Sequence, residues 1–284
     1  MLFLLRCLAG CPLWFLHALG TALGWATWWL SPTWRRRSIE NAAAAGVSRA
    51  DLHESVRQSG RLVAELPWVW LRPAGASLDG TAAWVDTAAV DRLVDEARGL
   101  VLLTPHMGCF EIAAQSYAQR WGARQPLTVL YRPARKAWVR ELEETARARA
   151  HLATAPATLA GVRQMLRALK RGETVGLLPD QVPPDGMGVW APFFGRAAYT
   201  MTLAARLVRQ TGAAVVMLWA ERLPHGRGYR VHARALPALP TSPAGVDDVA
   251  DATAINRWME ETIRECPGQY LWSYHRYKQP RSAP

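Results

Sequence analysis

Residues 100–111 read LVLLTPHMGCFE, and the fold turns on how this stretch is parsed. Leu100–Leu103 is a short apolar run of the kind that makes a fully buried strand. Thr104-Pro105 ends it, since proline lacks the N–H that a strand ladder needs. Gly108 lets the backbone approach closely, and residues 108–121 take up helical spacing. A strand passing through a tight turn into a helix is the unit of an α/β domain with a mostly parallel sheet.

His106 sits inside the turn, and Glu111 follows five positions later. On one continuous helix the two would lie about 140° apart around the axis and could not easily meet. They come within reach only if His106 precedes the helix and Glu111 lies in its second turn. Glu111 then accepts a hydrogen bond from one ring nitrogen and fixes the tautomer, while the other nitrogen acts as general base toward a substrate hydroxyl. Helix N-terminal amides nearby disfavour a charged imidazole, which suits a base. The expected geometry is a bonded His106–Glu111 pair opening on a cleft shared with Arg132 and Asp180. Spacing alone does not separate this from a structural pair. Cys109, the nearby side-chain nucleophile, reads as a small packing residue rather than an acyl carrier.

Working outward, the texture from residue 84 onward alternates apolar runs with amphipathic segments. The runs predict strands at Leu100–Leu103, Leu127–Leu130, Thr174–Leu178, Ala213–Trp219 and Tyr229–Ala235. Helices are predicted over 108–121, 135–149, 159–171, 199–211 and 247–265. Ligands bind beyond the carboxyl ends of the strands in such sheets. Three strand ends each deliver one polar side chain there: His106, Arg132 in TVLYRP, and Asp180 in TVGLLPDQ. Singly, Arg132 reads as a solvated loop residue and Asp180 as a turn residue. Together they define a candidate site.

Upstream, no formally charged residue occurs from Cys7 to Trp34, and Trp25, Trp28, Trp29 and Trp34 cluster before Arg35–Arg37. This run is long enough to span a bilayer, and the arginines would hold its end on the cytoplasmic side. A helix lying in the membrane interface is the alternative. The expected organisation is a transmembrane or interfacial helix over 1–34, a helical membrane-proximal segment over 35–84, and the α/β domain over 85–284. Ser48 predicts an N-cap for a helix running to Leu71.

Composition agrees. The chain has 284 residues, 34 basic against 23 acidic side chains, and a net charge of +11. Such a balance favours polyanionic partners. Fourteen tryptophans against five phenylalanines point to the membrane interface among those partners. No nucleic-acid motif is present. The four cysteines form neither a disulfide framework nor a metal-ligand pattern, so no metal and no cofactor are expected.

TPHMGCFE resembles the H-x4-D/E motif of glycerolipid and lipid A acyltransferases. LYRP at 130–133, LLPDQ at 177–181, APFFGRAAYTMTLAARLVRQTGAAVV at 191–216 and PGQYLWSYHRYK at 267–278 resemble the bacterial lipid A biosynthesis acyltransferases of the late, lauroyl- or myristoyl-transferring type. The resemblance runs over nearly the whole chain. It implies a glycerolipid-acyltransferase-like α/β fold and an inner-membrane enzyme facing the cytoplasm. It also implies an acyl-acyl carrier protein donor and a lipid A precursor whose existing 3-hydroxyacyl chain is acylated. It makes His106 the base and Glu111 its partner. It places Arg132 and Asp180 in substrate-pocket motifs, puts Arg149 (or Arg147) at the site, and directs Arg276 toward a phosphorylated headgroup. The sequence departs by carrying Glu where most glycerolipid enzymes have Asp, and its compact length bears on the acceptor more than on the reaction. Other expectations are the same chemistry on a lysophospholipid or amino-lipid, or a non-catalytic protein that binds anionic lipid. Arg163, Arg167, Lys170 and Arg171 form a basic face that would suit acidic acyl carrier protein.

Overall fold

The computed structural model describes residues 2–73, 75–132, 136, 140, 149–240 and 247–281. The chain begins with α1 (Leu2–Ala9), α2 (Leu13–Leu30), α3 (Pro32–Ala44) and α4 (Arg49–Leu71). Ser48 caps α4 by accepting the Asp51 N–H at 3.1 Å, as its position predicts. The α/β part follows: β1 (Ala82–Trp84), α5 (Ala88–Asp95), β2 (Leu100–Leu103), α6 (Phe110–Trp121), β3 (Leu127–Tyr131), β4 (Leu152–Pro156), α7 (Leu159–Lys170) and β5 (Thr174–Leu177). A hairpin of β6 (Gly188–Phe193) and β7 (Arg196–Met201) leads to α8 (Leu203–Thr211), β8 (Ala214–Arg222), β9 (Tyr229–Ala235) and α9 (Asp248–Glu265).

Among the described residues the main sheet has seven strands in the order β1-β9-β8-β2-β5-β3-β4. Pairing is parallel except between β8 and β9. The mostly parallel α/β architecture is therefore as expected. Strand side chains alternate between two cores. Val101, Leu103, Val175, Leu177, Val215 and Met217 face one, against α7, α8 and α9. Leu100, Leu102, Val216 and Leu218 face the other, against α6, α5 and the N-terminal helices. Central β2 and β5 are buried along their whole length. Each fully buried leucine or valine there contributes about 1.5–3 kcal/mol relative to exposure.

The spanning reading of residues 1–34 is corrected. Gly10, Cys11 and Pro12 separate α1 from α2, because the residue before a proline is pushed out of the helical region. The 18 residues of α2 reach about 27 Å, short of the ~30 Å hydrocarbon core. One face, with Leu13, Leu16, His17, Gly20, Gly24 and Trp28, is buried in the protein. No helix among the described residues is long and apolar enough to cross a membrane. Glycine lets α2 and α4 touch backbone to backbone: a Cβ on Gly60 would lie 1.9 Å from the Gly20 carbonyl oxygen.

One expected helix differs at its start, and another falls mostly on residues that are not described. The segment 135–149 lies mostly outside the described residues. Residues 199–202 belong to β7 and a turn rather than to α8, so that helix starts at Leu203.

Candidate active site

Register brings the first two site residues together. β2 and β5 are neighbours, Leu103 pairs with Leu177, and the Thr104 N–H still donates to the Leu177 carbonyl at 3.0 Å. His106 and Asp180 each follow three positions later, so adjacent strand ends deliver them to one spot. Asp180 Oδ1 lies 2.7 Å from His106 Nδ1, and its Oδ2 accepts the His106 backbone N–H at 2.9 Å. The Gln181 amide nitrogen lies 3.1 Å from His106 Nε2. With the Nδ1 hydrogen donated to Asp180, Nε2 carries the lone pair and accepts from Gln181. That is the tautomer a general base needs. The His106 side chain is 19% exposed, whereas Asp180 is closed off at 1%.

Burial by itself would raise the Asp180 carboxyl. The imidazole beside it, two hydrogen bonds from His106 and the Arg276 charge outweigh that and hold it below the usual carboxylate range. The Tyr270 phenol near it is pushed well up by burial and then by the Asp180 charge, and so stays protonated.

The expected orienter was Glu111, and the ring is held by Asp180 instead. Each ring nitrogen has one in-plane bonding direction, and Asp180 and Gln181 take both. Helix α6 starts at Phe110 because Gly108 is left-handed at φ 56° and Cys109 is the N-cap. Glu111 is buried in the first turn of α6, in line with Gln115 and Gln119 on one helix face. Its charge acts on Arg149. Those two glutamines and Arg149 line a cleft of about 310 Å³ with Ser77 and Leu78, and His106 is not among its lining residues.

The arginines separate. Arg132 is exposed at the end of β3, one strand beyond β5. Arg149 donates to the carbonyls of Val69, Arg72 and Pro73 at 3.0–3.4 Å, closing the C-terminus of α4 where a cation complements the helix dipole. Arg147 lies outside the described residues. Arg276 does not reach outward to a headgroup. It is 3% exposed and donates to the Tyr199 carbonyl at 2.6 Å and to Thr200 Oγ1 at 2.8 Å. Its contribution to the site is the positive charge it places behind Asp180.

Cys109 is fully buried, and its thiol is pushed far up by burial and then by the nearby Glu65 charge. A thiolate nucleophile is thereby disfavoured, in keeping with the packing role expected. No group of three or more potential metal ligands occurs among the described residues.

The rest of the site was not legible from motifs. The C-terminal segment laces the loop: Leu271 N–H donates to the His106 carbonyl, Gly108 N–H donates to the Gln269 carbonyl, and Met107 bridges Tyr270. Arg222, the last residue of β8, donates to the Gly108 carbonyl at 2.8 Å. Its position at a strand end was the available signal.

With the site assembled, comparison with known proteins becomes informative. The family model for bacterial lipid A biosynthesis acyltransferases matches residues 2–279. The chain belongs to this family. It is 28% identical over 212 residues to a lipid A biosynthesis lauroyltransferase of Escherichia coli (strain K12), covering 72% of this chain and 65% of that protein. It is 26% identical over 229 residues to a lipid A biosynthesis palmitoleoyltransferase of Escherichia coli (strain K12), covering 79% and 70%. A lipid A biosynthesis acyltransferase of Shigella flexneri matches at the same 26% over 229 residues, with the same coverage. The chain thus spans about two thirds of the length of the curated relatives it matches.

Proposed function

We propose that the protein is a lipid A secondary acyltransferase, moving a fatty acyl chain from acyl-acyl carrier protein to a hydroxyl of a lipid A precursor. The observation that carries this reading is the His106–Asp180 pair at the carboxyl edge of the sheet, in a chain of the lipid A acyltransferase family.

His106 Nε2 removes the proton of the acceptor hydroxyl, and the oxygen attacks the thioester carbonyl. Asp180 holds Nδ1 and stabilises the imidazolium that forms. The tetrahedral intermediate collapses and expels the carrier thiolate, which takes the proton from Nε2. The ester bond has formed, the thioester bond has broken, and the imidazole is neutral again. Gln181 occupies the Nε2 position until the acceptor hydroxyl displaces it. No metal and no bound cofactor takes part in this sequence.

The body works at the bacterial inner membrane from the cytoplasmic side, with α2 lying in the interface. Trp14, Phe15, Leu19, Leu23, Trp29 and Leu30 are exposed on α2 and at its end, opposite the face buried in the protein. Arg35, Arg36 and Arg37 follow on α3, suited to anionic headgroups. Acidic acyl carrier protein suits the basic residues Arg163, Arg167 and Lys170 of α7 together with Arg171.

The test is transfer of a labelled acyl chain from acyl carrier protein to a lipid A precursor by purified protein in anionic detergent–lipid micelles. Mass spectrometry of lipid A and phospholipids from a deletion strain identifies the acceptor. Missing one acyl chain on lipid A supports the reading. A change confined to phospholipids moves the same chemistry to a lysophospholipid acceptor. Binding of substrate with no turnover overturns catalysis.

A further inference from the structure

Behind the site lies a charged network that the proposed reaction does not use. Glu65 on α4 is fully buried, and so is the Arg222 guanidinium at the end of β8. Arg222 Nη2 donates to Glu65 Oε1 at 2.5 Å, and Nε lies 2.8 and 2.9 Å from the two carboxylate oxygens. Nη1 reaches Gln58 Oε1 at 3.2 Å, and Nη2 also donates to the Gly108 carbonyl at 2.8 Å. The other Glu65 oxygen accepts from the Tyr229 hydroxyl at 2.9 Å and lies 3.1 Å from His17 Nε2 on α2.

A fully buried ion pair is weak evidence for stability, because desolvation offsets most of the attraction. Such a pair calls for a reason other than packing. Here the reason is its third partner. The peptide between Gly108 and Cys109 is gripped at both ends: Arg222 holds its carbonyl, and its N–H donates to the Ala220 carbonyl at 2.8 Å. Gly108 adopts φ 56°, and a Cβ there would sit 2.0 Å from the Ala220 carbonyl oxygen. The Arg222 main chain is clamped as well, its N–H and carbonyl both bonded to the Gln269 side-chain amide. Gln269 returns its own carbonyl to the Gly108 N–H. The Gly108 end of the turn that carries His106 is thus held by Arg222, its strand and Gln269, while Leu271, Asp180, Gln181 and the Thr104 bond to Leu177 hold the His106 end.

We infer that Arg222 and Glu65 are positioning residues for His106. Glu65 orients the Arg222 fork, and the fork locks the left-handed Gly108 turn that aims Nε2 at the acceptor hydroxyl. The pair touches neither substrate nor reacting atoms. Because α2 joins the network through His17, the helix facing the membrane and the turn bearing the base are tied to one buried carboxylate.

This inference rests on the acyltransferase reading and is tested beside it. Glu65→Gln combined with Arg222→Met removes both charges at similar volume, a change that buried pairs often tolerate. Arg222→Lys keeps the charge but lacks the planar fork needed for both Glu65 and Gly108. Steady-state transfer, circular dichroism and thermal unfolding are measured for both, with His106→Ala as reference. The expected result is a kcat lowered about 10–100-fold at unchanged acceptor KM in folded protein, since small misplacement of a base is costly. The lysine variant should recover part of that loss relative to the neutral pair. If either variant is folded and turns over like the parent, Arg222 and Glu65 are structural and the inference fails. If His106→Ala also retains parent activity, His106 is not the base and the inference falls with it; if the parent itself transfers no acyl chain, the acyltransferase reading fails instead.

Discussion

Two of the buried carboxylates among the described residues, Asp180 and Glu65, each hold a nitrogen side chain beside the same turn, and they are built in opposite ways. Asp180 faces His106, whose ring remains 19% exposed. Glu65 faces Arg222, which is closed off from solvent and has bonds to Glu65, Gln58 and Gly108. The first pair keeps one nitrogen open to exchange partners, as chemistry requires. The second keeps nothing open, as a fixed point requires. Proximity of a carboxylate and a nitrogen side chain therefore does not identify a catalytic pair; the opening does.

His106→Ala should lower transfer by about 10³–10⁴-fold, within the range for loss of a general base, while thermal unfolding stays close to that of the parent. Next comes Glu65→Ala, which leaves the Arg222 charge buried without its partner and should cost about 3–5 kcal/mol, read by urea unfolding. If it costs less than about 1 kcal/mol, the contrast between an open and a closed pair fails.

Asp180→Asn should then reduce kcat about 10²-fold or more by destabilising the productive tautomer, whereas Glu111→Gln should cost less than tenfold. Reversal of that order would restore Glu111 as the orienter. The smallest effect is on acid stability. Burial alone would raise Glu65, yet the Arg222 charge and bonds from His17 and Arg222 hold it at about 2. A carboxyl depressed on folding contributes stability above its unfolded value of about 4.3 and loses it as pH falls toward the folded value. Parent stability should therefore fall between about pH 4.5 and 2 more steeply than that of the Glu65→Gln, Arg222→Met variant. Equal slopes would show that Glu65 is not held down by its partners.

Much of the fold was legible because buried parallel strands write themselves as short apolar runs. The predicted Leu100–Leu103 and Tyr229–Ala235 strands match the observed boundaries, two others differ by one residue at one end, and Ala213–Trp219 is displaced by one residue at its start and three at its end. The β6–β7 hairpin was missed. Pro192 lies inside β6, and the turn is made at Phe194-Gly195, so the segment reads as a loop. The site was legible only in part. His106 and Asp180 were visible as polar residues just beyond strand ends. Their pairing was not, because a helix spacing compares neighbours in the chain, and Asp180 lies 74 positions away. Arg276 looked like a solvated or headgroup-seeking residue, but the C-terminal segment folds back and buries it.

By itself the sequence determined the alternation of strand and helix, the family, and the residues delivered to the sheet edge. These follow from local periodicity and from which side chains stand after each apolar run. Tertiary structure decided the rest. Parallel register set Asp180 rather than Glu111 against the imidazole, and the Pro12 break with α2 packing kept the N-terminal run from forming one long apolar helix. Backbone contact at Gly20 and Gly60, with the carboxylate of Glu65 between α2, β8 and β9, fixed what lies behind the base. Those choices depend on which strand ends become neighbours in space, and no interval counted along the chain records that.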